Sequence, residues 1–158
     1  WKLRSFANYI QQLEMESLGK PVNAESIFHE TGQTIFGGFG STAQHSYFQL
    51  LHQGTSQCSA DIIYSPTTQS PLSNAQAKGQ ASLLSSPQKQ SSDLRELTNG
   101  NIPVNLFVVP KLSLRELGFL LATWEHRVFV TASLMQINPF DQFGVAAGKT
   151  AAQKFLKK

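Results

Sequence analysis

The chain has 158 residues, enough for one domain with a hydrophobic core and too few for two full domains. Its net charge of +3 is mild, and no basic stripe with interleaved aromatics indicates a nucleic-acid partner. The longest apolar run, within 117–124, is too short to cross a bilayer, so we expect no membrane partner. The single cysteine, Cys58, excludes an intrachain disulfide and a cysteine-based zinc site, and it fits a cytoplasmic location.

The first part of the sequence alternates helical and extended patterns. Apolar residues at helical spacing over 3–13, followed by a glycine stop at Gly19, predict a first helix. A short strand is predicted at 34–36. A serine or threonine cap predicts a second helix over 41–54, and the apolar run at 61–64 predicts a buried strand.

The second part begins with a polar segment and returns to regular structure. Residues 65–101 are rich in Ser, Gln, Pro, Asn and Thr, which predicts a loop-rich excursion with one weak helix at 75–84. A strand is predicted at 104–109. A capping box opens a predicted helix over 113–134 that is apolar on most sides in its first half and hence buried. A final helix is predicted over 142–155.

This order of elements predicts an α/β fold with mostly parallel strands joined by right-handed crossovers. Only three strands are found, and a sheet of three parallel strands would leave apolar edges open. The sequence also begins at Trp1, directly in a helical pattern. We therefore expect a piece of a longer protein, with upstream residues completing the sheet.

Near the end of the first helix, Gln12 and Glu16 are four residues apart and share a face. A glutamate is ionised at neutral pH, as a general base must be. The ordinary alternative is a solvated residue near a helix end. For Glu14, on another face, we expect that alternative to hold.

His45 is predicted to lie in the first turn of the second helix. Free N–H groups there disfavour the imidazolium ion and leave a neutral ring that can relay a proton. His52 lies two turns further on, and a partly buried histidine with one hydrogen bond is the ordinary alternative for either. Their spacing of seven, without a glutamate after His45, does not fit a metalloprotease site, so no metal is expected.

Lys149 lies on the final helix, two turns after Gln142 and on the same side. Apolar residues over 140–145 predict that the start of this helix is packed, which would partly desolvate Lys149. A lysine held in this way can serve as an acid or a fixed positive charge. Neither the glycine-rich turn at 37–40 nor the serine-rich segment carries a nucleotide-binding or nucleophile motif, so no cofactor is predicted.

Three separated segments closely resemble the C-terminal part of the glucose-6-phosphate isomerases. They are Gln-Leu-Glu-Met-Glu-Ser-Leu-Gly-Lys at 12–20, Gly-Ser-Thr-Ala-Gln-His-Ser-Tyr-Phe-Gln-Leu-Leu-His-Gln-Gly at 40–54, and the stretch 100–155. The resemblance implies a SIS-type, flavodoxin-like three-layer α/β domain with a mostly parallel sheet, incomplete in this chain. Residues 1–158 would form this C-terminal SIS domain and the C-terminal helix of a two-domain enzyme, with 65–101 as a variable segment.

The resemblance also implies a cytoplasmic, cofactor-free enzyme of glycolysis and gluconeogenesis. It would interconvert glucose 6-phosphate and fructose 6-phosphate by ring opening and an enediol proton transfer. Glu16 would be the base that moves a proton between C2 and C1, His45 would help to open the ring, and Lys149 would act on the ring oxygen or hydroxyls. Gln12 and Gln142 would line the sugar-phosphate site. The family also implies a homodimer in which His45 enters the partner's site.

Two departures from the family pattern stand out. Leu18 replaces an asparagine of many members, and 37–43 reads Gly-Gly-Phe-Gly-Ser-Thr-Ala instead of the commoner Gly-Glu-Pro-Gly-Thr-Asn-Gly. Both look like the plastid and cyanobacterial branch. The family's phosphate-binding loops and an active-site arginine would lie upstream of Trp1, so we expect these 158 residues alone to be inactive.

Two other classes of function stay open at this point. One is a non-catalytic SIS domain that binds a sugar phosphate as a regulator, and the other is a purely structural dimerisation domain. Glu16, His45 and Lys149 are present together, which favours catalysis because binding and dimerisation need no base.

Overall fold

The structure, a computed structural model, describes residues 3–86 and 90–156. Trp1 lies outside the described residues. So do positions 87–89, which belong to the segment predicted to be loop-rich. The chain divides into two compact units. One consists of Gly38–Phe119 with the residues up to Arg4, and the other of Ser5–Gly37 with the residues from Leu120 onward.

Helices contain most of the regular structure in the described part of the chain. The α-helices are α1 (Phe6–Leu18), α2 (Gly40–Gln44), α3 (Phe48–Gln53), α4 (Pro71–Ser85), α5 (Leu114–Met135) and α6 (Phe143–Leu156). A 3-10 helix covers Leu94–Glu96, and the strands are β1 (Ala60–Tyr64) and β2 (Val104–Val108).

The first unit is built on a parallel pair of strands. β1 and β2 pair in register from Ala60 opposite Val104 to Tyr64 opposite Val108. α4 lies between them in the sequence, packs against both strands and buries Leu84. This strand–helix–strand unit confirms the predicted α/β class with parallel strands.

α4 is longer than the weak helix predicted at 75–84, and it makes the segment 65–101 less loop-rich than expected. Ser70 caps its start, accepting a hydrogen bond from the Ser73 N–H at 3.2 Å, and Pro71 occupies the first turn. The sequence pattern missed this start because it rests on a cap and a proline and not on apolar periodicity.

The strand predicted at 34–36 is wrong. Among the described residues this stretch pairs with no strand. Instead, the carbonyl of Ile35 accepts a hydrogen bond from the side chain of Gln11 on α1 at 2.6 Å. This carbonyl is therefore bonded to a side chain and not to a neighbouring strand, and the described sheet has two strands.

The helix predicted over 41–54 is broken into α2 and α3. Phe39 stands at the N-cap without a side-chain cap bond, so the predicted serine or threonine cap is also wrong. The His45 N–H donates to the Thr42 carbonyl at 3.1 Å, and the Ser46 N–H donates to the Ala43 carbonyl at 3.0 Å. Each of these bonds joins residues three positions apart instead of four, as in a 3-10 helix. This tightens the last turn and ends α2.

The core of the second unit forms where α1 meets the part of α5 that runs from Leu120 to Ala132. Each helix buries a row of side chains spaced by four residues. The rows are Phe6, Ile10, Glu14 and Leu18 on α1 and Leu120, Trp124, Val128 and Ala132 on α5. The rings of Phe6 and Trp124 meet edge to face with centroids 5.3 Å apart. The first half of α5 was predicted to be buried, and it is buried only in part: Leu120 and Trp124 are buried, whereas Leu114 and Phe119 are exposed.

Both ends of α5 are closed by hydrogen bonds between residues that are near each other in the sequence. The Arg115 N–H donates to Ser113 Oγ at 3.2 Å and the Ser113 N–H donates to Glu116 Oε2 at 3.3 Å, which confirms the capping box. A hydrogen bond from the Ser113 hydroxyl to the same carboxylate lowers the pKa of Glu116. At the other end Gln136 has a φ of 56°, and the Ile137 N–H reaches back to the Ala132 carbonyl at 3.0 Å. This is the Schellman arrangement, which closes the helix.

α6 differs from the other long helices in its exposure. Every residue from Phe143 to Leu156 is exposed. The prediction that the start of this helix is packed is therefore wrong for the described residues: Phe140, Phe143 and Val145 are 76%, 78% and 45% exposed.

Candidate functional site

The end of α1 places Glu16 and Gln12 on one face, as predicted. Gln12 Nε2 donates to Glu16 Oε2 across 3.3 Å. Glu16 is half-buried and Gln12 is exposed, so this carboxylate is oriented by a neutral amide while staying accessible. A carboxylate held in this way can accept a proton from a bound molecule.

Lys20 joins this end of α1 to a distant part of the sequence. Its Nζ donates to the Glu16 carbonyl at 2.7 Å and also to the Asp141 carbonyl. The same nitrogen lies 3.6 Å from Asp141 Oδ1, and the Lys20 side chain is only 10% exposed. One ammonium group thus joins the last turn of α1 to a main-chain segment 121 positions after Lys20.

This contact brings Gln142 to the end of α1. Gln142 follows Asp141 directly, and its carbonyl accepts from the Ala146 N–H at 3.1 Å in the first turn of α6. Lys149 lies two turns further, about 10 Å along the same side of the helix. Lys149 is exposed, and its side chain makes no hydrogen bond or ion pair with the part of the chain that the structure describes.

Glu14 is buried, contrary to the prediction that it is solvated. Its side chain is 1% exposed, and Gln33 Nε2 donates to Glu14 Oε2 at 2.6 Å. Arg127 Nε lies 3.6 Å from Glu14 Oε1 and supplies the opposite charge. The burial follows from spacing, because Glu14 occupies the row of Ile10 and Leu18 that faces α5.

His45 belongs to the other unit, and its predicted setting is wrong. It is exposed and stands at the C-cap of α2, not in the first turn of a helix. The argument that free N–H groups keep its ring neutral therefore does not apply to this structure. His52, by contrast, fits the alternative of a half-buried histidine with one hydrogen bond, since its Nε2 lies 2.6 Å from Gln80 Oε1.

A pocket of about 140 Å³ lies beside His45 in the first unit. Amide, hydroxyl and aromatic side chains line it, among them Gln44, Gln76, Gln80, Ser73, Tyr47 and Phe48. Gln76 Nε2 donates to Gln44 Oε1 at 3.4 Å, so α4 supports the residue that precedes His45. Burial raises the pKa of Tyr47, which keeps its hydroxyl a neutral donor. The side chains that line this pocket can form hydrogen bonds with neutral polar groups.

The described residues contain neither a metal-binding cluster nor a helix that could span a membrane. Residues 3–86 and 90–156 contain no group of three or more His, Cys, Asp or Glu side chains that could hold a metal ion. No helix within these residues is long and apolar enough to cross a membrane.

Comparison with known proteins agrees with the resemblance in the sequence. The family model described as phosphoglucose isomerase matches residues 1–158. The chain belongs to this family. It is 40% identical over 152 residues to the glucose-6-phosphate isomerase of Legionella pneumophila (strain Lens), covering 95% of this chain and 30% of the relative. It is 37% identical over 182 residues to that of Shewanella sediminis, covering 99% and 33%.

Solved structures extend the phosphoglucose isomerase likeness to the fold. A glucose-6-phosphate isomerase from Chlamydia trachomatis superposes with a TM-score of 0.84 at 31% identity, covering 98% of this chain and 32% of that one. A hypothetical protein from Thermus thermophilus, at 21% identity and a TM-score of 0.80, shares the fold. The chain spans about a third of the length of the curated relatives it matches.

The surroundings of two residues at this candidate site were not predicted from the sequence. Lys20 stands four residues after Glu16, so the helical neighbour rule could have placed it beside Glu16. Its approach to Asp141 carries no local signal. The burial of Glu14 could have been found by extending the apolar row from Phe6 and Ile10 by one more turn.

Proposed function

We propose that this chain forms the C-terminal part of a cytoplasmic glucose-6-phosphate isomerase and contributes several groups to its active site. The observation that carries the proposal is the family match over all 158 residues together with the meeting of Glu16, Gln12 and the Asp141–Gln142 segment at the end of α1. The longer enzyme contains a SIS-type domain completed by residues outside this chain.

The proposed reaction begins with ring opening of the sugar. His45 takes the proton of the C1 hydroxyl while Lys149 gives a proton to the ring oxygen, so the C1–O5 bond breaks and an aldehyde forms. These two groups return to their starting states when the product ring closes. The positive charge on Lys149 also suits an anionic substrate.

Proton transfer between the two carbons is assigned to Glu16. Its carboxylate takes the C2 proton, the C2–H electron pair forms a C1–C2 double bond, and the C1=O π pair moves onto O1 to give an enediolate. The O2 proton then moves to O1. When Glu16 returns its proton to C1, the charge on O2 forms the carbonyl of fructose 6-phosphate and O1 is left as a hydroxyl. Positioned base catalysis of this kind contributes on the order of 10²–10⁴-fold. Gln12 orients the carboxylate, and Gln142 lines the sugar-phosphate site.

The test is a coupled isomerase assay of the full-length protein that carries this chain. Wild type should interconvert glucose 6-phosphate and fructose 6-phosphate, and Glu16→Gln should abolish turnover because an amide of the same shape cannot accept the proton. Glu30→Gln, at an exposed position, is the matched control and should stay active. Wild-type protein that binds the sugar phosphate without turning it over would favour a regulatory domain instead.

The proposed homodimer places His45 in the neighbouring subunit's site. Mixed dimers of Glu16→Gln and His45→Ala subunits should regain part of the activity, because one of their two sites holds both groups. No recovery in demonstrably mixed dimers would contradict the sharing.

Residues 1–158 expressed alone should be inactive. In the proposed enzyme the phosphate-binding loops and an arginine come from other parts of the protein, and without them C1 and C2 are not held against Glu16. Turnover equal to the full-length protein at the same molarity would contradict this division of the site.

A further inference from the structure

Lys20 is nearly buried, and its ammonium group contacts acceptors within the protein. Its side chain is 10% exposed, and its ammonium meets the Glu16 carbonyl, the Asp141 carbonyl and Asp141 Oδ1. Two of the three N–H donors of the ammonium are used by the main-chain carbonyls of Glu16 and Asp141, and its charge is paired with the Asp141 carboxylate. Lys20 is therefore committed to holding main-chain segments.

The carbonyl that Lys20 holds is one that the helix cannot satisfy itself. Glu16 lies in the last turn of α1, where carbonyl groups have no partner within the helix. The helix dipole also makes this end partly negative, so a cation is favoured here. The ammonium thus fixes the main chain of the same residue that carries the proposed base.

The main chain of Lys20 is fixed by hydrogen bonds to two neighbouring residues. Its N–H donates to the Leu18 carbonyl at 2.9 Å, and its carbonyl accepts a hydrogen bond from Thr31 Oγ1. Next to this contact, a Cβ on Gly32 would lie only 3.0 Å from the Cα of Gly19. The loop that follows α1 is closed tightly on the helix end, which limits where the ammonium can move.

We propose that Lys20 is a positioning residue for Glu16: it fixes the last turn of α1 against the Asp141–Gln142 segment. This inference rests on the proposed function. Glu16 is the group that takes the C2 proton, and Gln142 contacts the substrate that must present it. The distance between base and C2 then depends on a contact that touches neither substrate nor carboxylate. Misplacement of reacting groups by about 1 Å can cost on the order of 10²-fold in rate.

The experiment compares Lys20→Met with wild type in the full-length protein, using glucose 6-phosphate with hydrogen or deuterium at C2. Methionine keeps most of the length and removes the donors. We expect kcat to fall by about 10²-fold, KM to change little, and the deuterium isotope effect on kcat to rise because C2 proton transfer becomes slower. Lys111→Met, which removes an exposed lysine, should leave all three quantities at wild-type values.

Rescue separates positioning from general stability. Lys20→Arg keeps the charge and the donors, so its kcat and isotope effect should lie between those of Lys20→Met and wild type. If Lys20→Met does not fold, Asp141→Asn carries the test: it removes the ion pair and keeps the main-chain acceptor, and a raised isotope effect supports the proposal.

Each remaining outcome contradicts a defined part of the account. Wild-type kcat and isotope effect in a folded Lys20→Met protein, or a loss seen in KM alone, would overturn the role of Lys20 and leave the isomerase assignment standing. A wild-type protein without isomerase activity would overturn the proposed function itself.

Discussion

The two faces of α1 have the same spacing and opposite environments. One row of side chains is buried against the rest of its unit: Phe6, Ile10, Glu14 and Leu18. The other row, two residues out of step, stays accessible at Gln12 and Glu16 and is continued past the helix end by Lys20. Spacing shows which side chains share a face, but the partner of the helix decides which face is buried. Two glutamates separated by one residue therefore have different environments: Glu14 is buried and Glu16 is half-buried.

The buried face should determine stability. Leu18 packs against Val128 and Ala132, so Leu18→Ala should lower the free energy of unfolding by about 2–5 kcal/mol through lost burial and a cavity. Native-state hydrogen exchange of α1 amides in the full-length protein measures this. Met15→Ala, at a side chain 40% exposed on the same helix, should cost about 1 kcal/mol or less. Equal effects of the two variants would contradict the assignment of the faces.

The loop that closes over the end of α1 should matter next. Gly32 has a φ of 71° and stands too close to Gly19 for a side chain, so Gly32→Ala should destabilise by about 1–2 kcal/mol or more. Gly118→Ala, in the interior of α5 with open space around it, should instead be neutral or slightly stabilising. Urea unfolding of both variants decides, and a neutral Gly32→Ala would contradict the closed loop.

Features of the fold that depend on near neighbours in the sequence could be predicted. The presence of α1, its end before Gly19, and the capping box at Ser113 and Glu116 were predicted because caps and periodicity act within one or two turns. The break at His45 and the loss of the strand at 34–36 were not, since they involve short-range tightening and a side-chain bond from Gln11 that apolar patterns do not encode.

The same division holds for the candidate site. Gln12 and Glu16 were placed together from their spacing alone. The approach of Asp141 to Lys20 joins residues 121 positions apart, and no periodicity can specify such a pair. Gln142 and Lys149 were placed on one side of the final helix by their spacing, but neither spacing nor the family resemblance could show that α6 is exposed along its length.

The smallest predicted effect concerns the edge between the two faces of α1. The Tyr9 hydroxyl donates to Glu125 Oε1 at 3.0 Å, and burial followed by this bond and the charge of Glu125 raises the pKa of Tyr9. A raised pKa in the folded state means that the contribution to stability is present below the pKa of the unfolded tyrosine. It is lost as pH rises through the folded value.

Tyr9→Phe should therefore lower the free energy of unfolding at neutral pH by about 1 kcal/mol or less. The variant should also lose less of this free energy than wild type as the pH rises into the alkaline range. Unfolding free energies measured from about pH 8 to 11 test this. An alkaline loss as steep in Tyr9→Phe as in wild type would show that the Tyr9–Glu125 contact is not its source.

The most direct test of the central claim compares Glu14→Gln and Glu16→Gln in the full-length protein, with kcat and unfolding free energy measured on each. Glu14→Gln should keep its turnover and lose about 1–3 kcal/mol of stability, because Arg127 loses its charge partner. Glu16→Gln should keep its stability within about 0.5 kcal/mol and lose its turnover. Turnover retained in Glu16→Gln, or lost in a fully stable Glu14→Gln, would contradict the account.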